Sequence, residues 1–146
     1  MDYDTVDPAE FGRALRGLGL NILVRDVGRS AAFLRDVFGM RARRLSADFA
    51  IVEYGDARFQ LHGDHTYGAN ALLGLLPEAG PRGGGLELRL YDTNPDAAAT
   101  RAETARGHVL APPRDKPHGL REAVILDPDG YAWLPSRPLD PKEMPQ

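Results

Sequence analysis

The sequence predicts an α+β fold in which two consecutive βαβββ units form a curved mixed sheet around a cleft. Apolar, β-branched segments and helical patterns follow one another in the same order twice along the chain. The same turn and stop signals recur at matching places in both halves. The 146 residues are the length of one ordinary domain, and the lack of cysteine excludes disulfides and thiolate chemistry. We therefore expect a single domain over residues 1–146.

A lead-in helix is predicted within residues 1–16. Asp7 suits the N-cap position, and Pro8 suits the first helical position that follows it. The acidic start lacks the parts of a secretion signal, and the longest apolar run, 71–76, is far shorter than the roughly 18 residues that span a bilayer. We expect a cytoplasmic protein with no membrane partner.

The first βαβββ unit is predicted over residues 17–62. Its strands are expected at 18–24, 41–46, 48–54 and 57–62, and its helix at 29–38. Gly39 ends the helix, and Gly55 with Asp56 forms the hairpin turn between the last two strands. Strand alternation places Phe49 and Phe59 in the core. A connecting loop follows over 63–83, with a short apolar helix at 69–76.

The second unit is predicted over residues 84–135. Its strands are expected at 86–91, 108–111, 121–126 and 131–135. Asn94 caps a helix that runs to residue 106 and is stopped by Gly107. Residues 136–146 are predicted as an extended surface strap, because prolines are concentrated near the carboxyl end.

The two units align with each other. Residues 20–26, LNILVRD, match 86–92, LELRLYD, at an offset of 66. The closing strands align at a larger offset, with 57–60, ARFQ, over 131–134, YAWL. Two such units enclose a cleft on their concave faces, which is a common setting for small-ligand sites.

The charge balance excludes one class of partner. Lys and Arg number 18 and Asp and Glu number 21, for a net charge of −3. A nucleic-acid-binding domain needs a strongly basic face, so we expect no nucleic-acid partner. Arg41, Arg43 and Arg44 lie together on one predicted strand. They fit either a charged edge strand that discourages aggregation or a site that recognises an anion.

Three strings resemble one known family. The segment 23–40, LVRDVGRSAAFLRDVFGM, is similar to the opening of the vicinal oxygen chelate superfamily, which contains glyoxalase I, bleomycin-resistance proteins and extradiol dioxygenases. The segments 115–123, DKPHGLREA, and 127–131, DPDGY, resemble its closing region. The resemblance covers roughly residues 18–135 and implies the glyoxalase/bleomycin-resistance fold. The family hosts several activities, so the resemblance is informative for the fold and weak for the function.

Metal-dependent members of this family imply four His or Glu ligands. Their usual positions fall here on Gly19, Gln60, Gly85 and Leu134. Three of these side chains cannot bind a metal, and a glutamine carbonyl alone is a poor ligand for a divalent transition ion. We therefore expect no cofactor, in character with the metal-free bleomycin-resistance-like branch.

A displaced site is the sharpest chemical hypothesis that the sequence allows. Asn21, His62 and Glu87 stand two residues beyond three of the lost ligands, so strand alternation points them into the same cleft. They are compatible with an N/O site for Mn, Fe, Ni or Zn, with polar contacts to an organic ligand, or with a hydrogen-bonded trio in a partly wet interior. His62 and Glu87 are also the candidates for a general base.

Further ligand-binding candidates come from loops and a helix end. His65 and Tyr67 lie in the loop beside the cleft mouth, and His118 lies in the loop before the seventh strand. Phe38, at a helix end, is a candidate for facing a ligand or a partner subunit. Trp133 precedes Leu134 on the same predicted strand and therefore points to the opposite face of the sheet, where it is predicted to pack under a helix.

Three functions remain open on these residues. The first is a binding protein that sequesters a small aromatic or cationic molecule in the inter-repeat cleft. The second is a lyase, isomerase or dioxygenase built around His62 and Glu87. The third is a non-catalytic interaction subunit with contact surfaces on the 63–83 loop and the tail. The resemblance also implies a homodimer.

Overall fold

Two four-stranded mixed sheets organise the chain, one in each of two units of the computed structural model. The structure describes residues 1–144. Unit 1 contains residues 1–35 and 39–76, and unit 2 contains residues 36–38 and the chain from Pro77 onward. Within residues 1–144, no helix has the length and hydropathy to cross a membrane.

Unit 1 carries the first βαβββ module. Its elements are α1 (Pro8–Ala14), β1 (Asn21–Val24), most of α2 (Val27–Phe38), β2 (Arg41–Arg43), β3 (Phe49–Tyr54) and β4 (Ala57–Gly63). The strand order is β1-β4-β3-β2. β1 runs parallel to β4, and the other pairs are antiparallel. The parallel pair follows from the topology, because α2 intervenes before the chain returns to the sheet.

The helix signals predicted at Asp7 and Gly39 are confirmed, and Asp26 caps the start of α2. The Asp7 carboxylate accepts hydrogen bonds from the backbone amides of Ala9 and Glu10, at 3.0 and 3.1 Å. The Asp26 carboxylate accepts one from the amide of Arg29 at 3.0 Å. Gly39 ends α2 in the left-handed conformation, with φ of 72°. These caps satisfy backbone groups that a helix end leaves unpaired.

Unit 2 repeats the module. Its elements are β5 (Glu87–Leu90), α3 (Pro95–Thr104), β6 (His108–Asp115), β7 (Leu120–Leu126) and β8 (Ala132–Pro138), with strand order β5-β8-β7-β6. Asn94 caps α3 as predicted, accepting from the amides of Asp96 and Ala97. The α+β class and the tandem βαβββ order are therefore as predicted, with the strands arranged as two separate mixed sheets.

Two predictions at the ends of unit 2 elements were wrong. α3 ends at Thr104 and not at residue 106 before Gly107, and Arg106, with φ of 63°, takes the left-handed conformation after it. β8 continues to Pro138, and its residues pair with β7 as far as Leu120, so no free strap begins at residue 136. A strand gains cross-strand hydrogen bonds that a strap lacks, and prolines are tolerated where their missing amide is not needed. Residues 145–146 of the predicted tail lie outside the described residues.

The helix predicted at 69–76 was also wrong. Only a 3₁₀ turn, Leu73–Leu75, forms there, after another at Asp64–Tyr67. Leu72 and Leu75 are exposed by 45% and 81%. A segment this short makes a helix only if packing stabilises an apolar face, and these leucines are not buried.

Each unit has an apolar core. In unit 1, Phe59 and Leu61 of β4 are buried, as is Leu34 of α2. Phe49, predicted as core, is only half-buried. It is paired with His62 across the sheet, so it shares the face opposite Phe59.

In unit 2, Trp133 is buried and its ring lies 6.0 Å from the ring of Phe38. The predicted burial of Trp133 is confirmed. Ala98 and Ala102 of α3 and Ile125 of β7 are buried as well.

Candidate functional site

The open face of the unit 1 sheet carries polar side chains in an ordered row. Arg58, Gln60 and His62 alternate along β4 with the buried Phe59 and Leu61. Strand register places Asn21 of β1 and Ile51 of β3 directly beside Gln60. The two amide side chains therefore lie next to each other on this face.

Residues 1–20 build a wall over part of this face and leave a cleft of about 960 Å³, which we call the unit 1 cleft. Its lining combines apolar, aromatic, amide and basic side chains with glycine backbone. The lining residues are Met1, Tyr3, Phe11, Ala14, Leu15, Arg16, Gly17, Leu18, Gly19, Leu20, Asn21, Ile51, Arg58, Phe59 and Gln60. This volume and mixture are typical of a small-ligand pocket.

A row of aromatic rings runs from the wall of the cleft along the open face. The ring centroids are 6.0 Å apart for Tyr3 and Phe11, and 6.4 Å apart for Phe11 and Phe49. The row continues through Phe49 and His62 at 5.1 Å, and ends with His62 and Tyr67 at 5.3 Å. Edge-to-face contacts of this kind add stability beyond the area they bury. They dock the lead-in segment on the sheet.

Charged contacts anchor the same segment at the other edge of the sheet. The Asp4 carboxylate accepts hydrogen bonds from the Arg44 amide at 2.7 Å and from the Arg43 guanidinium at 3.0 Å. Arg43 also pairs with Glu53 at 3.2 Å, and Arg44 donates to the Val6 carbonyl. The backbone bond from Arg44 lowers the pKa of Asp4. Arg43 lies on the edge strand β2 and Arg44 follows it directly. Both bind the chain's own amino-terminal segment.

His62 lies beside the cleft and is held by Gln60. Its Nε2 is 2.9 Å from the Gln60 side-chain oxygen. Burial lowers the pKa of His62, because desolvation disfavours the charged imidazolium. If Nε2 carries the proton and donates it to Gln60, Nδ1 is the free acceptor of a neutral ring.

The structure brings together four of the predicted site residues. Asn21, Gln60, His62 and Tyr67 share one face or contact one another in unit 1. His65 lies nearby in the chain but is turned outward, with Nε2 at 2.5 Å from the Asp48 carboxylate and more than half of its side chain exposed.

The other three candidates belong to unit 2. Phe38 is buried against Trp133, which corrects its prediction as a residue facing a ligand or a partner, because its ring is already enclosed. Glu87 is exposed and pairs with Arg89 at 3.4 Å. His118 lies 3.8 Å from the carboxylate of Glu122.

Arg89 is the centre of a polar cluster on the unit 2 sheet. Its guanidinium binds the Glu122 carboxylate and lies over the Tyr91 ring at 5.7 Å. Burial lowers the pKa of Arg89, but the hydrogen bonds that its guanidinium donates to Glu122 and Glu87 outweigh that effect and raise the pKa overall. Glu87 therefore has a cationic partner on its own strand.

A family model describes most of this chain. The model for the glyoxalase/bleomycin resistance protein/dioxygenase superfamily matches residues 18–134. The chain belongs to this superfamily. No curated protein matches the chain significantly.

Several solved structures share the fold. A glyoxalase/bleomycin resistance protein/dioxygenase family enzyme from Burkholderia phytofirmans PsJN superposes with a TM-score of 0.69 at 21% identity, covering 82% of this chain and 96% of that one. The fosfomycin resistance protein FosX from Mesorhizobium loti gives 0.59 at 19%, covering 84% and 92%. TioX from Micromonospora sp. ML1 gives 0.59 at 20%, covering 86% and 98%. At these identities the likeness establishes the glyoxalase fold alone.

In the first unit, the register of the strands corrects the residue that we assigned to the second metal-ligand position of the family. Asn21 pairs with Gln60 and Glu87 pairs with Ala132, so the closing strands correspond at an offset of 72 rather than at the offset of the sequence alignment. The equivalent of Leu134 is therefore His62, two residues beyond Gln60 and on the same face. The hydrogen-bonded register of the strands establishes that His62 and Leu134 are equivalent. The two units share too few identical residues for a sequence alignment to establish it.

The residues present do not fit the superfamily's usual metal site. By register its four positions are occupied by Gly19, His62, Gly85 and Leu134, of which one has a metal-binding side chain. Across residues 1–144, no three His, Cys, Asp or Glu side chains form a group that could hold a metal ion. The displaced set of Asn21, His62 and Glu87 draws on both units and remains a prediction.

Sequence reasoning missed the residues that the lead-in segment contributes. Tyr3 and Phe11 line the cleft, although the lead-in segment was assigned no role, and Arg58 of β4 lines it as well. A usable signal was present, since Phe11, Ala14 and Leu15 form an apolar stripe with helical spacing. Such a stripe on a short helix indicates that its apolar face packs against another part of the protein.

Proposed function

We propose that the protein is a small-molecule binding member of the superfamily and that its organic ligand occupies the unit 1 cleft. The observation that carries this proposal is the cleft itself. It places the Asn21 and Gln60 amides beside aromatic and aliphatic walls. Directional polar groups on an otherwise apolar lining hold an organic molecule in one orientation.

The aromatic row supports the same proposal. Tyr3 and Phe11 are half-buried and contact each other, so ring faces and edges are available in the wall beside Gln60. A ring-containing ligand gains stacking contacts there in addition to area burial. FosX is named as a fosfomycin resistance protein, and both it and TioX share the fold, but neither supplies a ligand for this chain.

A thermal-shift screen of small aromatic and heteroaromatic compounds tests the proposal. A ligand at 100 times its Kd adds about 2.7 kcal/mol to the free energy of unfolding. For a chain of this size, that raises Tm by roughly 5–10 °C. We expect Asn21→Leu and Phe11→Ala to reduce the shift. Leu110→Ala, at an exposed position on β6, is the matched control and should leave it unchanged.

A compound that shifts Tm equally in all these variants binds elsewhere and contradicts the location. A broad screen without any stabilising compound contradicts the proposed function. It then favours the third possibility, an interaction subunit whose contact surface includes the exposed leucines of the 63–83 loop.

An enzyme is the second candidate, and the position of His62 favours it. The ring is neutral, is oriented by Gln60 and stands at the strand position equivalent to a family ligand. These properties suit a general base or a metal ligand. Metal content of untagged protein distinguishes the candidates. Near-stoichiometric Mn, Fe, Ni or Zn that falls in both His62→Ala and Glu87→Gln supports the enzyme, and background metal in the native protein argues against the displaced site.

A further inference from the structure

The charges that line the unit 1 cleft are all positive. Arg16 and Arg58 are the two arginines in its lining, and no Asp or Glu among residues 1–144 is part of that lining. This contrasts with the aromatic or cationic ligand expected from the bleomycin-resistance branch. A cationic lining favours an anion, because the field in a cleft concentrates counter-charge.

Arg58 has no carboxylate partner among the described residues. Its guanidinium carbon lies 4.8 Å from the centre of the Tyr3 ring, so the group is stacked on the cleft wall. The acidic residue directly across the sheet is Glu53, which accepts a hydrogen bond from Arg43 at 3.2 Å. Stacking fixes the plane of the guanidinium and leaves its edge of donors for an oxyanion, which it binds bidentately.

Arg16 supplies a weaker second charge. Its Nη1 donates to the carbonyls of Arg13 and Leu15, both at 2.7 Å, near the end of α1. Those bonds hold the side chain at the cleft and use part of its donor set. The remaining donors and the net charge still favour an anion at this end of the cleft.

The neutral lining defines the rest of the ligand. Tyr3, Phe11 and Ile51 offer ring and aliphatic surface, and the Asn21 and Gln60 amides offer donors next to them. An inorganic anion leaves that surface unused, and a neutral hydrocarbon leaves Arg58 unpaired. A molecule with an aromatic or apolar body and one carboxylate satisfies both parts of the site.

We propose that the ligand of the unit 1 cleft is an organic anion, an aromatic monocarboxylate in the simplest case, with its carboxylate on Arg58 and its ring packed against the wall that Tyr3 and Phe11 form. The proposal rests on the proposed binding function and goes beyond it by naming the class of ligand. Arg58 is then the residue that sets charge specificity.

Three probes of one shape test the inference: 2-naphthoate, 2-naphthamide and 2-naphthylmethylamine, measured by calorimetry at low ionic strength. We expect naphthoate to bind at least about tenfold tighter than the amide, as for a charge-assisted hydrogen bond to a carboxylate. The amine should bind most weakly. Arg58→Gln should remove the preference for the carboxylate, and Arg58→Lys should restore only part of it, because lysine keeps the charge without the fork.

Arg114→Gln is the matched control, since Arg114 is an exposed arginine on β6 and does not line the cleft. It should bind naphthoate as the native protein does. The thermal unfolding curve of ligand-free Arg58→Gln should match that of the native protein, because Arg58 is exposed.

The outcomes separate the two proposals. Equal binding of acid and amide, or tighter binding of the amine, overturns the inference, while the proposed function stands if Phe11→Ala still weakens binding. Binding of none of the three probes also overturns it. The broader screen then decides whether the protein binds a small molecule at all.

Discussion

Asp127 organises the turn between β7 and β8 through three hydrogen bonds. One carboxylate oxygen accepts from the amides of Asp129 and Tyr131 at 2.9 and 3.1 Å, and the other accepts from the Trp133 indole at 3.0 Å. Burial raises the pKa of Asp127, and the hydrogen bonds oppose that rise. The sequence motif identified a turn here, but it did not reveal that Asp127 also holds the ring of Trp133.

We predict that Asp127→Ala lowers the free energy of unfolding by about 2–4 kcal/mol, because two buried donors and one partly buried donor lose their acceptor. Urea denaturation followed by fluorescence of Trp133, the single tryptophan, measures it. Asp127→Asn keeps one oxygen for the backbone amides and should cost less. Equal stability of Asp127→Ala and the native protein would show that these bonds contribute nothing.

The stability of the protein should also depend on pH through the protonation of His62. Because burial lowers the pKa of His62 below its ordinary 6.5, the unfolded chain binds more protons than the folded protein between the two values. The stability from neutral His62 is complete above pH 6.5 and is lost as pH falls through the folded pKa. His62→Gln keeps a donor for Gln60 without titrating.

Urea midpoints of the native protein and His62→Gln, compared between pH 8 and pH 5, give the measurement. The difference between the two proteins should change in favour of His62→Gln as the pH falls. Parallel curves would contradict the prediction, since the other three histidines are present in both proteins.

At the scale of elements, the lead-in segment is held to the sheet by a polar anchor at Asp4 and by the ring contacts of Tyr3 and Phe11. We predict that Asp4→Ala loosens residues 1–16 and leaves the rest of unit 1 folded, because the contacts of Asp4 join two exposed elements. Limited proteolysis should cut the segment faster in this variant. Glu10→Ala, at an exposed carboxylate of α1 outside the anchor, is the control, and equal cleavage of native protein and Asp4→Ala would contradict the role of Asp4.

The anchor also has a pH dependence. The pKa of Asp4 lies below its ordinary value of 3.8, so the tether is complete above that pH and is lost as pH falls through the depressed value. Protease resistance of the segment should therefore persist through mildly acidic conditions.

The glycine-rich segment 81–85, which precedes β5, docks on the turn between β7 and β8. The amides of Arg82 and Gly83 donate to the carbonyls of Asp129 and Gly130, at 2.9 and 3.2 Å. Gly130 has φ of 81°, and a Cβ there would lie 2.4 Å from the Cα of Pro81. Backbone approach this close requires glycine for space as well as for conformation.

We predict that Gly130→Ala destabilises the protein by about 2–4 kcal/mol, since it combines a left-handed conformation with a backbone clash. Gly85→Ala is the matched control: Gly85 has φ of 88° and open space around its Cβ position, so about 1–2 kcal/mol is expected. Chemical denaturation of both variants measures the contribution of the clash. Equal losses would show that the linker moves aside without cost.

At the scale of the whole molecule, the prediction of a homodimer awaits measurement. Light scattering on the eluted protein should give twice the 15.9 kDa of the chain. A monomer mass over a wide range of concentration would contradict it.

The fold was more predictable than the site. Caps at Asp7, Asp26 and Asn94 and the order of elements followed from local signals, because capping and periodicity are local properties of the chain. The site followed only in part: alternation places Asn21, Gln60 and His62 on one face and extends to Arg58, whereas Tyr3 and Phe11 join it through contacts distant in sequence.

The sequence by itself determined the two βαβββ modules, the N-caps at Asp7 and Asn94 and the loss of most family metal ligands, since these depend on residue type and short-range spacing. Only the tertiary structure decided that His62 is equivalent to Leu134, that β8 reaches Pro138 and that the lead-in helix forms a wall of the cleft. Register and docking depend on hydrogen bonds and packing between distant segments, and a single sequence with few internal identities does not encode them in any local pattern.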